Sequence, residues 1–262
     1  MFAGYNVDLT NAQLDKYLET GRKSSITQKE TLAKSLSDYF SDGILNGTKM
    51  EADWFPTIGK PDIFISYSHN DEDVALSFAG FLEQELHLNV FVDANIWGSA
   101  DELLRKIDDE YAKSKTVPNN YNYEDRNFTT SHVHMMLSNA IMKVMDASEC
   151  IFLLNTDESL PSIAETMGTA CTFSPWIYTE IMFTQMLRHK KLSDYRPELT
   201  KKGMEFEARE KSLKIKYDVS LDNLIKLNWD DLQAWNTSFK GSRPYGDLLG
   251  KTYSLDILYD LK

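Results

Sequence analysis

Short apolar runs alternate with longer amphipathic segments through the middle of the chain, and this pattern predicts an α/β fold. Ile63–Tyr67 is a β-branched and aromatic run, and Asn89–Asp93 is a second apolar run. Between them, residues 71–86 have the spacing of an amphipathic helix. Two apolar strands joined by such a helix form a right-handed βαβ unit with parallel strands. Because neither strand alternates with polar residues, we expect helices on both faces of the sheet.

The same pattern continues towards the middle of the chain. Residues 94–130 are mostly polar, with helical spacing only over Ala100–Ala112, and are treated as an insertion. Ser131–Ala147 is predicted to be a helix and Cys150–Asn155 a third buried strand. Another helix is predicted from Pro175 to about His189, since proline is tolerated in the first turn of a helix.

The first 57 residues are predicted to form a helical extension. Leu14, Tyr17 and Leu18 have helical spacing, and Thr27-x-x-Glu30 is a capping-box pattern that would open a second helix. The chain is therefore divided into an extension over residues 1–57 and an α/β domain over residues 58–262. The fold class is flavodoxin-like, with a central parallel sheet flanked by helices.

The C-terminal third has a weaker pattern. Leu213–Val219 is compatible with a strand, residues 222–235 have helix-like spacing, and residues 254–261 fit either a helical turn or a strand.

The negative net charge of the chain argues against some classes of binding partner. The formal net charge is −12 and the isoelectric point is near 4.9. Such a surface repels phosphate backbones and anionic lipids, so neither nucleic acid nor a membrane is expected as the main partner. The two cysteines are too few for a disulfide framework, and no apolar stretch approaches the length of a membrane span. With no signal-peptide pattern at the start, a cytoplasmic location is expected.

Trp176 and Glu180 are the first candidates for catalytic or substrate-binding residues. Four residues apart on a helix, they share a face, and both lie in its first turns, near the carboxyl ends of the parallel strands. A carboxylate there stabilises the positive charge that develops on a ribose when an N-glycosidic bond breaks. An indole beside it offers a flat stacking surface, although its ring fits a core position equally well.

Three motifs in order resemble those of TIR (Toll/interleukin-1 receptor) domains. The strand D-x-F-I-S-Y of that family is matched by Asp62–Tyr67, its V-F-x-D strand by Val90–Asp93, and the W-x-x-x-E of its NAD-cleaving members by Trp176 and Glu180. The resemblance covers residues 61–189 and is closest to stand-alone bacterial members. It implies that Glu180 is the catalytic carboxylate.

The resemblance also implies where NAD⁺ would bind. Ser66, Ser68 and His69, together with Asn70, follow the first strand and could contact ribose or pyrophosphate; the alternative is an ordinary turn that caps the next helix. Many NAD-cleaving members have a basic residue where this chain has Ser68 and His69. Asp93 and Trp97 lie at the loop that, in those relatives, closes over nicotinamide. Trp97 could instead anchor the insertion.

Metal and redox-cofactor sites are not indicated. His132 and His134 are two residues apart on a predicted helix and point away from each other, so zinc is not expected. No G-x-G-x-x-G or Walker A motif is present, and NAD⁺ would therefore be a substrate and not a bound cofactor.

By resemblance, the protein is expected to be an NAD⁺ glycohydrolase or cyclase that releases nicotinamide and makes ADP-ribose or a cyclic or conjugated derivative. Its role would lie in bacterial antiphage defence, with self-association through TIR–TIR contacts and a separate effector that senses the product. Two alternatives are a non-catalytic TIR scaffold and a nucleoside deoxyribosyltransferase-like enzyme.

Overall fold

The computed structural model describes residues 1–29, 35–41, 44–56, 59–92, 94–114, 117, 120–161, 171–191, 195, 223–241 and 250–261. The chain forms two compact units. The first consists of residues 1–24, 61–92 and 145–262, and the second of residues 25–60 and 93–144.

The first unit is built on an all-parallel sheet. In the described part of the chain the strands of this sheet are β1 (Ala3–Val7), β4 (Ile63–Ser66), β5 (Val90–Val92), β6 (Cys150–Leu154) and β7 (Leu224–Leu227). They lie side by side in the order β5-β4-β6-β1-β7. Its helices are the first part of α1 (Leu18–Lys29), up to residue 24, and α3 (Glu72–Leu86), α6 (Pro175–Met186), α7 (Trp229–Gly241) and α8 (Gly250–Leu261). The predicted flavodoxin-like α/β class, a central parallel sheet flanked by helices, is confirmed.

Helices pack on both faces of this sheet. Phe152 and Leu153 are consecutive on β6 and therefore point to opposite faces. Phe152 packs against Phe78 of α3 and Trp235 of α7, with ring centroids 5.9 and 6.5 Å apart. Leu153 belongs to a buried cluster with Ile177 of α6. So α3 and α7 cover one face, and α6 covers the other.

The start of the chain differs from the prediction. Ala3–Val7 is not part of a helical extension but a strand between β6 and β7, parallel to both. The prediction missed it because glycine and asparagine interrupt its apolar pattern, and both are uncommon in strands. Thr27 lies inside α1 and opens no helix. A capping box is found instead at Ser35 and Asp38, which open a 3₁₀ turn over Leu36–Tyr39.

Two glycines bring α1 and α3 together. A Cβ atom added to Gly21 would lie 1.9 Å from the carbonyl oxygen of Leu76, and one added to Gly80 would lie 2.2 Å from that of Tyr17. Such distances are far below van der Waals contact, so any side chain at either position would push the two backbones apart. Tyr17 closes the same contact with its ring edge against Phe81, 5.5 Å between centroids.

The second unit contains the predicted insertion. Its elements are a small hairpin of β2 (Phe40–Ser41) and β3 (Ile44–Leu45), α2 (Gly47–Trp54), α4 (Ala94–Tyr111) and most of α5 (Tyr123–Ala147). Residues 123–130, assigned above to the insertion and not to the predicted helix Ser131–Ala147, are the first turns of α5. The start of this helix is fixed by the Asn122 side chain, which accepts hydrogen bonds from the N–H groups of Glu124 and Asp125. The buried carboxylate of Asp108 ties α4 to α5 through Arg126, 3.2 Å away, and the hydroxyl of Thr129.

The described C-terminal elements are a strand and two helices. Residues 224–227 form β7 and not the start of a helix, and residues 254–261 belong to α8. Leu213–Val219 lies outside the described residues. Within the described ranges, no helix combines the length and the apolar character that a membrane crossing needs.

Candidate functional site

Helix α6 carries the candidate carboxylate. Ser174 caps the helix, accepting a hydrogen bond at 3.3 Å from the N–H of Ile177, and Pro175 occupies the first turn as predicted. The helix ends at Met186, three residues before the predicted end. Glu180, in the second turn of the helix, meets the last residue of β4, so this part of α6 lies at the carboxyl edge of the sheet.

The Glu180 side chain is buried between α6 and the end of β4. Glu180 is only 2% exposed and Ser66 is 1% exposed. The hydroxyl of Ser66 donates a hydrogen bond to Glu180 Oε2. Ser66 is the last residue of β4. The structure thus brings together two of the predicted site residues, 114 positions apart in the chain. A serine hydroxyl in this position holds the carboxylate in one orientation at the sheet edge.

The loops that follow β4 and β6, next to Ser66 and Glu180, are linked to each other by hydrogen bonds. The Ser68 N–H donates to Ser159 Oγ at 3.3 Å, Asn70 Nδ2 donates to a Glu158 oxygen at 2.7 Å, and the Thr156 hydroxyl donates to Asp71 at 2.6 Å. The Asn70 amide is therefore engaged by a carboxylate within the protein. His69, by contrast, is exposed in the turn that precedes α3.

These two loops and the helices that follow them contain no lysine or arginine. Residues 67–86 and 155–187 contain nine acidic residues and no lysine or arginine. Two of these acids, Asp73 and Glu85, form ion pairs with Arg22 and Lys240 of other elements. The acids nearest to the strand ends are Asp71, Glu72, Asp73, Asp157 and Glu158. An edge of this kind favours a group that is, or becomes, positively charged.

The remaining predicted residues are placed as follows. Trp176 is half-buried in the first turn of α6, one turn before Glu180. Trp97 lies within α4 in the second unit and not in the predicted loop, and Asp93 is outside the described residues. His132 and His134 lie on α5, and the described residues contain no group of three or more metal-ligating side chains that could hold an ion.

Sequence reasoning missed several polar residues at this edge. Thr156, Glu158 and Ser159 follow β6 and make the contacts described above. Their signal was a run of polar residues directly after a buried strand, the position where open α/β sheets bind ligands. Asn6, on the unrecognised strand β1, was also missed; it is 5% exposed and lies on the same sheet.

Comparisons with known proteins add no relative. No family model matches the sequence, and neither a curated protein nor a solved structure matches the chain. The likeness to TIR domains therefore rests on the three sequence motifs and their order.

Proposed function

We propose that this protein cleaves NAD⁺ between its ribose and nicotinamide, with Glu180 as the catalytic carboxylate. The observation that carries the proposal is the buried hydrogen bond between Ser66 and Glu180 at the carboxyl edge of a parallel sheet. Ser66 belongs to a strand motif that resembles that of TIR domains, and Glu180 to a motif that resembles that of their NAD-cleaving members. A carboxylate and a hydroxyl at that edge are placed where ligands of such sheets bind.

The reaction requires from the protein mainly a negative charge that is held in position beside the ribose. When the N-glycosidic bond breaks, its electron pair leaves with nicotinamide, which becomes neutral, and positive charge develops on the ribose. The Glu180 carboxylate stabilises that charge and accepts hydrogen bonds from ribose hydroxyls. Ser66 positions the carboxylate. Water then attacks the anomeric carbon and loses a proton, giving ADP-ribose, or a nucleophile within the same molecule attacks it and gives a cyclic product.

The negative charge of the loops around Glu180 favours binding of the nicotinamide riboside half of NAD⁺ at this edge of the sheet. Nicotinamide is cationic while it is bound to ribose, and the loops around Glu180 carry acids and no lysine or arginine. Electrostatic attraction therefore favours the nicotinamide riboside end of NAD⁺ at Glu180 and disfavours its pyrophosphate there. The half-buried ring of Trp176, one turn away, offers a stacking surface for the flat base.

The decisive experiment is mass spectrometry of the products formed from NAD⁺ by the wild type and by Glu180→Gln. We expect nicotinamide and an ADP-ribose derivative from the wild type and a loss of at least about 10²–10³-fold in the variant. Glu83→Gln is a matched control, because Glu83 also accepts a serine hydrogen bond, from Ser24 at 2.7 Å, but on α3. Equal turnover by folded Glu180→Gln and Glu83→Gln proteins would reject the assignment of Glu180.

Assembly and biological role form part of the same proposal through the TIR resemblance. The protein would act in the cytoplasm, associate with further copies through TIR–TIR contacts, and supply a separate effector in antiphage defence. Specific activity is then expected to rise with protein concentration as copies associate. Constant activity from nanomolar to micromolar protein, with no change in size by light scattering, would argue against an assembled active form.

A further inference from the structure

Helix α5 has an exposed apolar row opposite its buried face. Phe128 is 66% exposed and Met135 is 52% exposed. Met142, one further repeat along the helix, is half-buried. The buried residues of the same segment lie on the other side of the helix and include Val133, Leu137, Ala140 and Val144. The exposed row is therefore additional to the face by which α5 packs into the protein.

The spacing of this row is that of a helix that pairs with another helix. The three apolar residues are seven positions apart, and serines lie between them at the positions where a heptad repeat has its second contact residue. Such a repeat keeps one line of side chains facing a partner helix. This line, the α5 seam, consists of Phe128, Ser131, Met135, Ser138 and Met142. The Phe128 ring lies edge-on to the ring of His132, 4.5 Å between centroids, so the most exposed apolar side chain of the seam is already held in place.

The seam lies in an uncharged part of a strongly acidic chain. Charged residues make up 26% of the sequence and the formal net charge is −12, but residues 127–142 contain no Asp, Glu, Lys or Arg. Two copies of such a chain repel each other wherever their acidic surfaces meet. Over the α5 seam they approach without opposing like charges, and apolar area is removed from water. A second copy of this chain therefore suits the seam.

The seam is also complementary to itself when two helices run antiparallel. A two-fold axis beside His132 places Phe128 of one copy opposite Met135 of the other, and the reverse. Contact between a methionine sulfur and an aromatic ring is favourable. The same arrangement places Glu124 opposite the neutral Asn139. Parallel helices would instead bring the two Glu124 carboxylates together and align the two helix dipoles, which is unfavourable.

We propose that the α5 seam is a contact between two copies of this chain, formed by antiparallel packing of their α5 helices around a two-fold axis. The contact lies outside the three TIR-like motifs, and it does not depend on NAD⁺ cleavage. The seam is only about four helical turns long, so it is smaller than the interfaces of about 1,600 Å² that hold stable complexes. We therefore expect a reversible dimer with a Kd of about 1–100 µM.

The first test is the mass of the full chain, measured by analytical ultracentrifugation over about 1–200 µM protein. The wild type should change from monomer to dimer across this range, and at lower concentration in high salt, because salt screens the repulsion between two acidic copies. In Met135→Glu the Kd should rise at least about tenfold, since each copy would bury an unpaired carboxylate. Ile44→Glu is the matched control: Ile44 is 72% exposed in the same unit but lies on β3, and this variant should keep the wild-type Kd. Both substituted side chains are exposed, so thermal melting should show both variants folded.

Disulfide trapping tests the antiparallel arrangement. The background is Cys171→Ser, which leaves only the buried Cys150. A mixture of the Phe128→Cys and Met135→Cys proteins should form a cross-linked dimer faster than either protein alone, because the two positions face each other only between antiparallel copies.

Three results would overturn this inference. A wild type that stays monomeric at every concentration rejects a second copy as the occupant of the seam. Equal Kd values for Met135→Glu and Ile44→Glu place the contact between copies elsewhere. Faster trapping of each single-cysteine protein with itself than of the mixture rejects the antiparallel order. All of these measurements report mass and not nicotinamide release, so their failure is distinct from a failure of the proposed cleavage, which the Glu180→Gln comparison tests.

Discussion

The hydroxyl of Ser66 donates its hydrogen bond to the carboxylate of Glu180, and the two residues are among the most buried polar groups of the described chain. The pairing links the first strand motif directly to the helix motif. It also makes Glu180 part of the packed layer, so substitutions there must preserve side-chain volume. Glutamine does so, whereas alanine would leave a cavity and confuse a loss of activity with a loss of fold.

Ser66→Ala should lower kcat for NAD⁺ cleavage, but by less than Glu180→Gln does. The serine acts through the carboxylate, and one hydrogen bond to a charged group corresponds to about a 10–100-fold effect. Steady-state kinetics beside thermal melting measures this, and Ser66→Thr, which keeps the hydroxyl, should recover part of the rate. A Ser66→Ala protein as inactive as Glu180→Gln would mean that the serine itself contacts the substrate.

Trp176→Ala should reduce activity more than stability. The ring is half-buried, so its removal is expected to cost less than the about 3–5 kcal/mol typical of a fully buried large side chain. Trp176→Phe keeps a flat ring and should retain much of the activity. Urea unfolding and nicotinamide release, measured on the same preparations, distinguish the two roles. A large drop in unfolding free energy with unchanged activity would make the ring purely structural.

Gly80→Ala should destabilise the first unit although alanine is the better helix former. The new methyl group would lie 2.2 Å from the Tyr17 carbonyl oxygen and 2.9 Å from the Gly21 nitrogen. Overpacking of this kind costs about 1–3 kcal/mol, which exceeds the helix propensity gained. Gly241→Ala, with no atom within 4 Å of its added methyl, is the control and should be neutral or stabilising. Equal melting temperatures for the two variants would show that α1 and α3 separate easily.

Glu85 should stabilise the fold in a pH-dependent way. Hydrogen bonds from Lys240 and from the Tyr17 hydroxyl, the latter at 2.9 Å, hold the pKa of Glu85 below its usual value of 4.5. A depressed carboxylate pKa contributes stability above the unfolded value, and that contribution is lost as the pH falls through the folded value. The difference in unfolding free energy between wild type and Glu85→Gln should therefore be present at pH 6 to 7, a range set by this shift, and shrink below about 4.5. A difference that is independent of pH would contradict this account.

Tyr5→Phe should leave stability unchanged or raise it by up to about 1 kcal/mol. Tyr5 is fully buried, its hydroxyl has no hydrogen-bond partner among the described residues, and burial raises the pKa of that phenol far above its usual value. Tyr17→Phe is the matched control, because it removes a hydroxyl that does donate, to Glu85, and should destabilise. A clear loss of stability in Tyr5→Phe would reveal a partner for the hydroxyl, such as a bound water.

The sequence predicts the central βαβ unit and the third strand to within two residues. Ile63–Tyr67, Asn89–Asp93 and Cys150–Asn155 were expected, and β4, β5 and β6 were found there. These segments are continuous apolar runs, buried on both faces, so local pattern and tertiary environment agree. The helix start at Pro175 was equally clear, because the capping serine and the proline are adjacent.

The other two strands of the sheet could not be predicted in the same way. Gly4 and Asn6 interrupt β1, and Lys226 interrupts β7, so neither run has the composition of a buried strand. Each is held by its neighbours: Asn6 pairs in register with both Leu153 and Lys226. The candidate site was therefore predicted only on its β4 and α6 side. Its β1 side depends on pairing between residues that are nearly 150 positions apart.

The position of β1 also determines how the protein can be made. A recombinant fragment that begins at residue 58, the predicted start of the α/β domain, would lack the strand that joins β6 to β7. During synthesis, that first strand leaves the ribosome long before either of its partners exists. Until residue 154 and then residue 227 emerge, its polar backbone edges remain open to water, to chaperones or to the strands of another nascent chain. Conditions that limit association between nascent chains during this interval, such as a low expression temperature or additional chaperones, should therefore improve the yield of folded protein.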